Sequence, residues 1–400
     1  MKAFSYYVLL IISASQLLAG PIEDTFGVGA RNKALGGAGI NIAEDYTATF
    51  YNPALLALCR GSRLSLGYDF IHTGLKNNNS EADQLGNYQA MNMGFCLKPL
   101  NHVGIGLYSN FSMGPIEFNA QTLTTTPTFV MYGGDLKAFS MMLGMGYAPI
   151  KQLSFGAAMS MATGVNLGSN LTYTPGGNPP LQAQFPAQIS PIVGAIVGVT
   201  GIPLPDWKLS FVYRSSTYGQ IDIKTKFDVT TNNIAETLVQ GFISYSPHQF
   251  ALGSSYLLTD KWLLTGDITY YLWSKYEGPF LRVQNSPSST IQPTLVIAGT
   301  QPPNFSNIFV SRIGVEYTVW DKLKLRAGYA FRPTPAPPPT PGGAQLLDAS
   351  AHRLSLGTGY EFQLYQNIFL IADAFFAADI LHDGRGSAIN TGLLIGAEYD

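Results

Sequence analysis

The chain has 400 residues, 46% of them hydrophobic and only 12% charged, with a formal net charge of −2. A soluble domain carries about 25% charged residues, and a nucleic-acid partner calls for a basic face that this balance does not supply. Beyond position 20 no apolar run reaches the length of about 18 residues that a helical membrane span requires.

Residues 1–20 have the layout of an export signal. Lys2 forms a minimal basic region, Tyr6 to Ile12 an apolar one, and Ser13 to Ala19 a small-residue approach to cleavage after Ala19 or Gly20. No cysteine follows the cut, which argues against a lipoprotein anchor.

Residues 21–60 differ from everything after them. They contain Gly27-Val28-Gly29, Gly36-Gly37-Ala38-Gly39 and Phe50-Tyr51-Asn52-Pro53-Ala54-Leu55. The segment lacks a period of two, and its glycines suit tight turns rather than strands. A small plug is the expected structure.

From residue 61 onward, apolar residues alternate with polar or small ones. In Lys322 to Phe331 the residues Lys322, Lys324, Arg326, Gly328 and Ala330 share one parity, while Leu323, Leu325, Ala327, Tyr329 and Phe331 share the other. One face suits lipid and the other a lumen, the pattern of a transmembrane β-barrel. Strands are expected over 62–71, 89–98, 102–113, 136–147, 152–165, 190–200, 207–229, 248–258, 261–275, 307–318, 322–332, 352–362, 367–378 and 388–399, fourteen in all. The seventh keeps its parity through Ser215-Ser216, so it is expected to be one long strand protruding from the membrane. Connections after even-numbered strands are short, and those after odd-numbered strands are mostly long, as outer-membrane barrels require. The fold class is therefore all-β: a 14-stranded antiparallel transmembrane barrel over residues 61–400, with an N-terminal hatch at 21–60 inside its lumen.

The Asn52-Pro53-Ala54 segment, preceded by Gly36-Gly37-Ala38-Gly39 and Asp45, resembles the hatch motif of the FadL family of outer-membrane long-chain fatty acid and hydrocarbon transporters. Ser210 to Ser215, Trp273-Ser274 and Arg326-Ala327-Gly328-Tyr329 resemble further segments of that family, in the same order. The resemblance implies a plugged barrel in the outer membrane with an opening beside a kinked third strand. It implies passive uptake of a hydrophobic small molecule such as a long-chain fatty acid, or alternatively an aromatic or other hydrocarbon. Here the third strand places polar Ser109 on the lipid parity and runs into Gly114-Pro115, so a kink is expected over Ser109 to Gly114, an ordinary strand ending in a loop being the other reading. The family usually ends in an aromatic residue read by the barrel-assembly machinery, whereas this chain ends Tyr399-Asp400.

Parity places Arg214, Arg312, Arg326 and Arg353 on the lumen face. A guanidinium stays charged and grips a carboxylate with two hydrogen bonds, so these arginines suit a fatty acid head group. They equally suit ion pairs that brace the lumen, because Glu316 and Glu361 share their face. Phe369, Ile371 and Phe375, with Ile192 and Ile196, offer apolar lumen surface, either for a ligand or for the plug. Ile234, Leu238, Val239, Phe242 and Ile243 recur at helical spacing in a long loop, either as part of a capture groove or as a helix covering the mouth. Cys59 and Cys96 would link plug to wall if bonded in an oxidising compartment; two free thiols are the other reading.

Catalysis is not expected. The histidines His72, His102, His248, His352 and His382 mostly fall at strand ends or in loops, and no Gly-x-Ser-x-Gly motif accompanies them. No cofactor or metal and no nucleic acid is expected, and a monomer in contact with outer-membrane lipid is. A non-transporting surface scaffold or adhesin would share the barrel and its long loops.

Overall fold

The computed structural model describes residues 22–77, 80–81, 86–113, 128–129, 131–132, 139–167, 170–173, 181–184, 187–230, 233–276, 281–285, 304–338 and 346–399. The export signal, Gly114 and Pro115 lie outside them. Fourteen strands form the wall: β1 (Ser62–Asn77), β2 (Asn87–Leu100), β3 (Val103–Met113), β4 (Ser140–Ile150), β5 (Leu153–Leu167), β6 (Ala187–Leu204), β7 (Trp207–Arg214), β8 (Gln249–Thr259), β9 (Trp262–Tyr271), β10 (Ile308–Trp320), β11 (Leu323–Arg332), β12 (Ala351–Tyr365), β13 (Ile368–Leu381) and β14 (Gly386–Tyr399). Each pairs antiparallel with its neighbours, and β1 pairs with both β2 and β14, which closes the barrel. Every wall strand thus has a partner on both sides among the described residues, the condition for a sheet to survive in hydrocarbon.

Six two-residue turns, among them Asp260-Lys261 and Asp321-Lys322, join the strands at the periplasmic end. Outward side chains such as Leu252, Phe309 and Ile395 are more than 60% exposed, as a lipid-facing surface demands. Aromatic pairs sit near both rims. Trp262 meets Tyr317 at 4.4 Å at the periplasmic end, and Tyr270 meets Phe309 at 4.6 Å at the other. Amphipathic rings of this kind favour the membrane interfaces.

Two expectations fail outside the wall. The seventh strand is not continuous: β7 stops at Arg214, which pairs with Gln249, the first residue of β8. After Ser215-Ser216, Thr217–Thr230 leaves the wall and pairs instead with Asn233–Ser246. The stretch expected at helical spacing, Asn233 to Ser244, is therefore strand. Parity survives the break because the outer hairpin is also a sheet and obeys the same period of two.

Ile22–Phe26 (α1), Ala30–Ala34 (α2), Ala48–Tyr51 (α3) and a 3-10 turn at Pro53–Leu58 form the plug inside the bore. The lumen face makes room for it with glycine. A Cβ on Gly104 would lie 1.8 Å from the Leu56 carbonyl oxygen, one on Gly156 2.2 Å from the Pro53 carbonyl carbon, and one on Gly328 2.1 Å from the Gly36 nitrogen. Plug backbone thus rests directly on wall backbone at β3, β5 and β11.

Candidate functional site

Asn52 explains why the hatch motif needs its residues. Its side chain accepts a hydrogen bond from Ala54 N at 3.1 Å, capping the 3-10 turn, and donates to Ile40 O at 3.0 Å and Thr200 Oγ1 at 2.8 Å. Pro53 follows at the first position of the turn, where no backbone N–H is required. Asn52 and Ala54 are fully buried, so the motif ties the plug to β6 rather than touching solvent.

The sulfur atoms of Cys59 and Cys96 are bonded, fastening the end of the plug to β2. The plug between α2 and Cys59 is also held by ion pairs. Arg31 grips Glu316 through two hydrogen bonds of 2.9 Å, and Lys33 meets Asp69 at 2.8 Å.

α1 is separated from that body by Gly27 and Gly29, whose φ values of +79° and +74° are left-handed and favour glycine. It lies across the bore and takes hydrogen bonds from the wall on several sides. Glu23 accepts from Ser140 and, at 3.3 Å, from Tyr108. Asp24 accepts from Arg214 Nη1 at 2.5 Å, Ser246 Oγ at 2.5 Å and Gln249 Nε2 at 3.3 Å. Arg353 Nη2 donates to Thr25 O at 2.7 Å, and Thr25 Oγ1 donates to Met131 O at 3.2 Å. Burial away from water pushes the Glu23 carboxyl above its ordinary range, against the pull of its donors.

Cavities surround this helix, and Asp24 borders three of them. One, toward the extracellular mouth, is walled by Met131, Tyr132, Tyr271, Trp273, Ile308 and Val310 together with Arg312, Arg332 and Arg353. A second, against β4 to β6, is mostly apolar: Phe50, Met142, Met161, Ala162, Ile192 and Ile196 face it. The third lies between α1 and the plug body, beside Ile40, Tyr51, Val212 and Ala251. Above them Trp273, Tyr276 and Phe305 pack with ring centroids 4.9 to 5.8 Å apart. Trp273 is buried and its indole N–H has no hydrogen-bond partner among the described residues.

The four lumen arginines are not free. Arg312 pairs with Asp267 at 2.9 Å, Arg326 with Glu316 at 2.7 Å and Asp373 at 2.5 Å, Arg353 with Asp379 at 2.6 Å, and Arg214 with Asp24. Each guanidinium thus meets a protein carboxylate, as buried charge requires. Glu361 sits apart, beside a charged cavity at the periplasmic end.

The apolar trio on β13 lies in three different surroundings. Phe375 is buried against the plug, with Lys33 Nζ 5.1 Å from its ring centre, while Ile371 borders the charged periplasmic cavity and Phe369 pairs with Glu398. Among the described residues, Ile371 faces the charged cavity and Phe375 the plug. Ile192 and Ile196 face an apolar chamber. Met142 and Met161, which complete it, are not among the residues that the sequence pattern singles out, although Met142 has the inward parity of its strand and an unbranched thioether suits an irregular apolar cavity.

Ser109 lies inside an unbroken ladder, opposite Met93 on β2 and Met141 on β4. The β3–β4 pairing runs from Val103 to Asn110, whereas β2 follows β3 up to Met113. The described β3–β4 ladder thus includes Ser109 and extends to Asn110.

A closed, greasy-sided barrel whose bore is filled by a hatch and interrupted by small apolar chambers defines a plugged outer-membrane transport protein. The model of the outer membrane protein transport protein family (OMPP1/FadL/TodX) matches residues 10–380, and the chain belongs to that family. Alkane uptake protein A of Marinobacter nauticus is 23% identical over 322 residues, covering 73% of this chain and 68% of that protein. Two solved structures share the fold: a FadL homologue from Pseudomonas aeruginosa (TM-score 0.55, 16% identity, 97% of this chain and 99% of that one) and the toluene transporter TbuX from Ralstonia pickettii (TM-score 0.56, 19% identity, 94% and 100%).

Proposed function

We propose that this barrel admits uncharged hydrophobic solutes, alkanes or aromatic hydrocarbons, passively across the outer membrane. The observation that carries this reading is the pairing of every one of Arg214, Arg312, Arg326 and Arg353 with a protein carboxylate beside chambers lined by Met, Ile, Tyr and Trp. These chambers offer apolar surface, and among the described residues each arginine that borders them is already paired. The names of the alkane uptake protein and the toluene transporter point to the same class of solute.

In this reading the solute partitions into the aromatic mouth around Trp273, crosses at α1 into the Met142–Ile196 chamber, and leaves sideways beside β3 above Asn110, where the described β3–β4 ladder ends. The Cys59–Cys96 bond favours a side exit over expulsion of the whole plug. The driving force is downhill partitioning, worth about 0.8 kcal/mol for each buried CH₂. The test is influx of labelled hexadecane, toluene and oleate into cells with and without the protein. Faster entry of the two hydrocarbons is expected, with little change for oleate. Equal influx of all three would replace the conduit with a surface scaffold, and faster entry of oleate alone would restore the fatty acid reading.

A further inference from the structure

Three donors from three different segments converge on the Asp24 carboxylate. Arg214 Nη1 comes from the end of β7, Ser246 Oγ from the outer hairpin and Gln249 Nε2 from the start of β8. Charge-assisted donors of this kind are what a site for a free carboxylate is made of. Arg214 is further fixed from the other side, where Nη2 donates to Phe50 O at 2.5 Å and the guanidinium lies 3.9 Å from the Phe50 ring centre. The cluster borders the apolar chamber of Met142, Met161, Ile192 and Ile196. A charged clamp at the head of a greasy slot is a fatty-acid site in outline, except that the chain's own carboxylate fills it.

We infer that Asp24 sets specificity: it occupies the Arg214–Ser246–Gln249 clamp as a built-in carboxylate and so turns a potential acid-binding slot into one that accepts only uncharged chains. This inference rests on the hydrocarbon reading above. An incoming carboxylate would have to displace Asp24, leaving one of two anions buried without a partner, and buried unpaired charge is strongly disfavoured. A hydrocarbon competes for none of these donors. Removing the Asp24 carboxylate leaves three donors aimed at empty space beside an apolar channel, which is the arrangement that binds a medium-chain acid.

The test is laurate binding, measured by calorimetry, to the full mature protein in detergent. Wild type is expected to bind laurate weakly. Asp24→Ala and Asp24→Gly, which empty the clamp, are expected to bind it between about tenfold and a hundredfold more tightly, the range of one or two charge-assisted hydrogen bonds. Adding Arg214→Gln to either variant should remove the gain. A gain that survives Arg214→Gln, or no gain in a correctly folded Asp24 variant, overturns the inference. Should both variants fail to fold, wild type still decides: tight laurate binding that Arg214→Gln abolishes would show that the clamp is open to acids, which overturns it, and weak laurate binding unchanged by Arg214→Gln supports it. Hydrocarbon influx through wild type is a separate measurement. Its absence would sink the proposed function, whereas a laurate result against the clamp with hydrocarbon influx intact would sink only the role of Asp24.

Discussion

The plug body, Ala30 to Cys59, and the short helix α1, Ile22–Phe26, share one bore but are held by different means. The body rests backbone to backbone on wall glycines, carries the Asn52 cap, and ends in a covalent link to β2. Among the described residues α1 rests on no wall glycine: Ile22 and Phe26 pack in an apolar cluster, while Glu23, Asp24 and Thr25 are held by hydrogen bonds and an ion pair with wall and loop residues. Close packing has one geometry and fails abruptly when it is disturbed. Polar contacts can be remade with water once the groups are exposed, at a net cost of about 0.5–1.5 kcal/mol each. The contrast assigns the body to sealing and α1 to the part of the plug that yields.

The contrast breaks most visibly if the seat is destroyed. Gly104→Val places a Cβ on top of the Leu56 carbonyl, and neither backbone can move without shifting its strand or turn. A loss of about 3–5 kcal/mol is expected, read from guanidinium unfolding and from ion leakage through a bore whose plug no longer fits. Next comes the tether. Cys59→Ser with Cys96→Ser opens a link between residues 37 apart, for which about 2–4 kcal/mol is expected. Reduction of the wild type with a thiol should reproduce that loss, and an unchanged midpoint would remove the disulfide from the set of anchors.

Much of this architecture is legible in the amino-acid sequence alone. Lipid forces one parity of every strand to be apolar, so stretches such as Lys322 to Phe331 announce both their conformation and their facing. The arginine partners become legible too once register is counted out from the two-residue turns. Glu316 and Arg326 face each other directly across Asp321-Lys322, as Arg353 and Asp379 do across the β12–β13 turn. The Asp24–Arg214 contact is of another kind. It joins residues 190 apart through a plug whose seating depends on packing, and no period or turn encodes that. The outer hairpin is hidden for a different reason: a strand that leaves the wall for another sheet keeps its alternation, so the break at Ser215 leaves no mark on the pattern.

Within the body, Asn52→Ala sharpens the comparison on a smaller scale. It removes the cap on Ala54, strands Ile40 O in a region sealed from water, and leaves Thr200 Oγ1 with Ser210 Oγ alone, at 2.8 Å. About 2 kcal/mol is expected. Its signature differs from that of Gly104→Val, because the cavity is small and the plug stays in place: faster amide exchange confined to Ala48 to Leu58, with no gain in ion leakage.

The smallest effect belongs to α1 and is a matter of pH. The Glu23 carboxyl is raised by burial, so the folded protein holds that proton more tightly than the unfolded chain does. The stabilising protonated state is fully present below the unfolded value of about 4.3 and is lost as pH rises through the higher folded value. The hold on α1 therefore weakens on going from acid toward neutral pH, the reverse of a salt-bridged carboxylate. Amide exchange in Ile22 to Val28 should speed up over that interval beyond the intrinsic pH dependence, while Ala30 to Cys59 shows no such excess. Glu23→Gln keeps a partner for Ser140 and Tyr108 but cannot ionise, and should flatten the excess in α1. If the excess persists in Glu23→Gln, or the body follows α1, the two parts of the plug move as one and the division drawn between them fails.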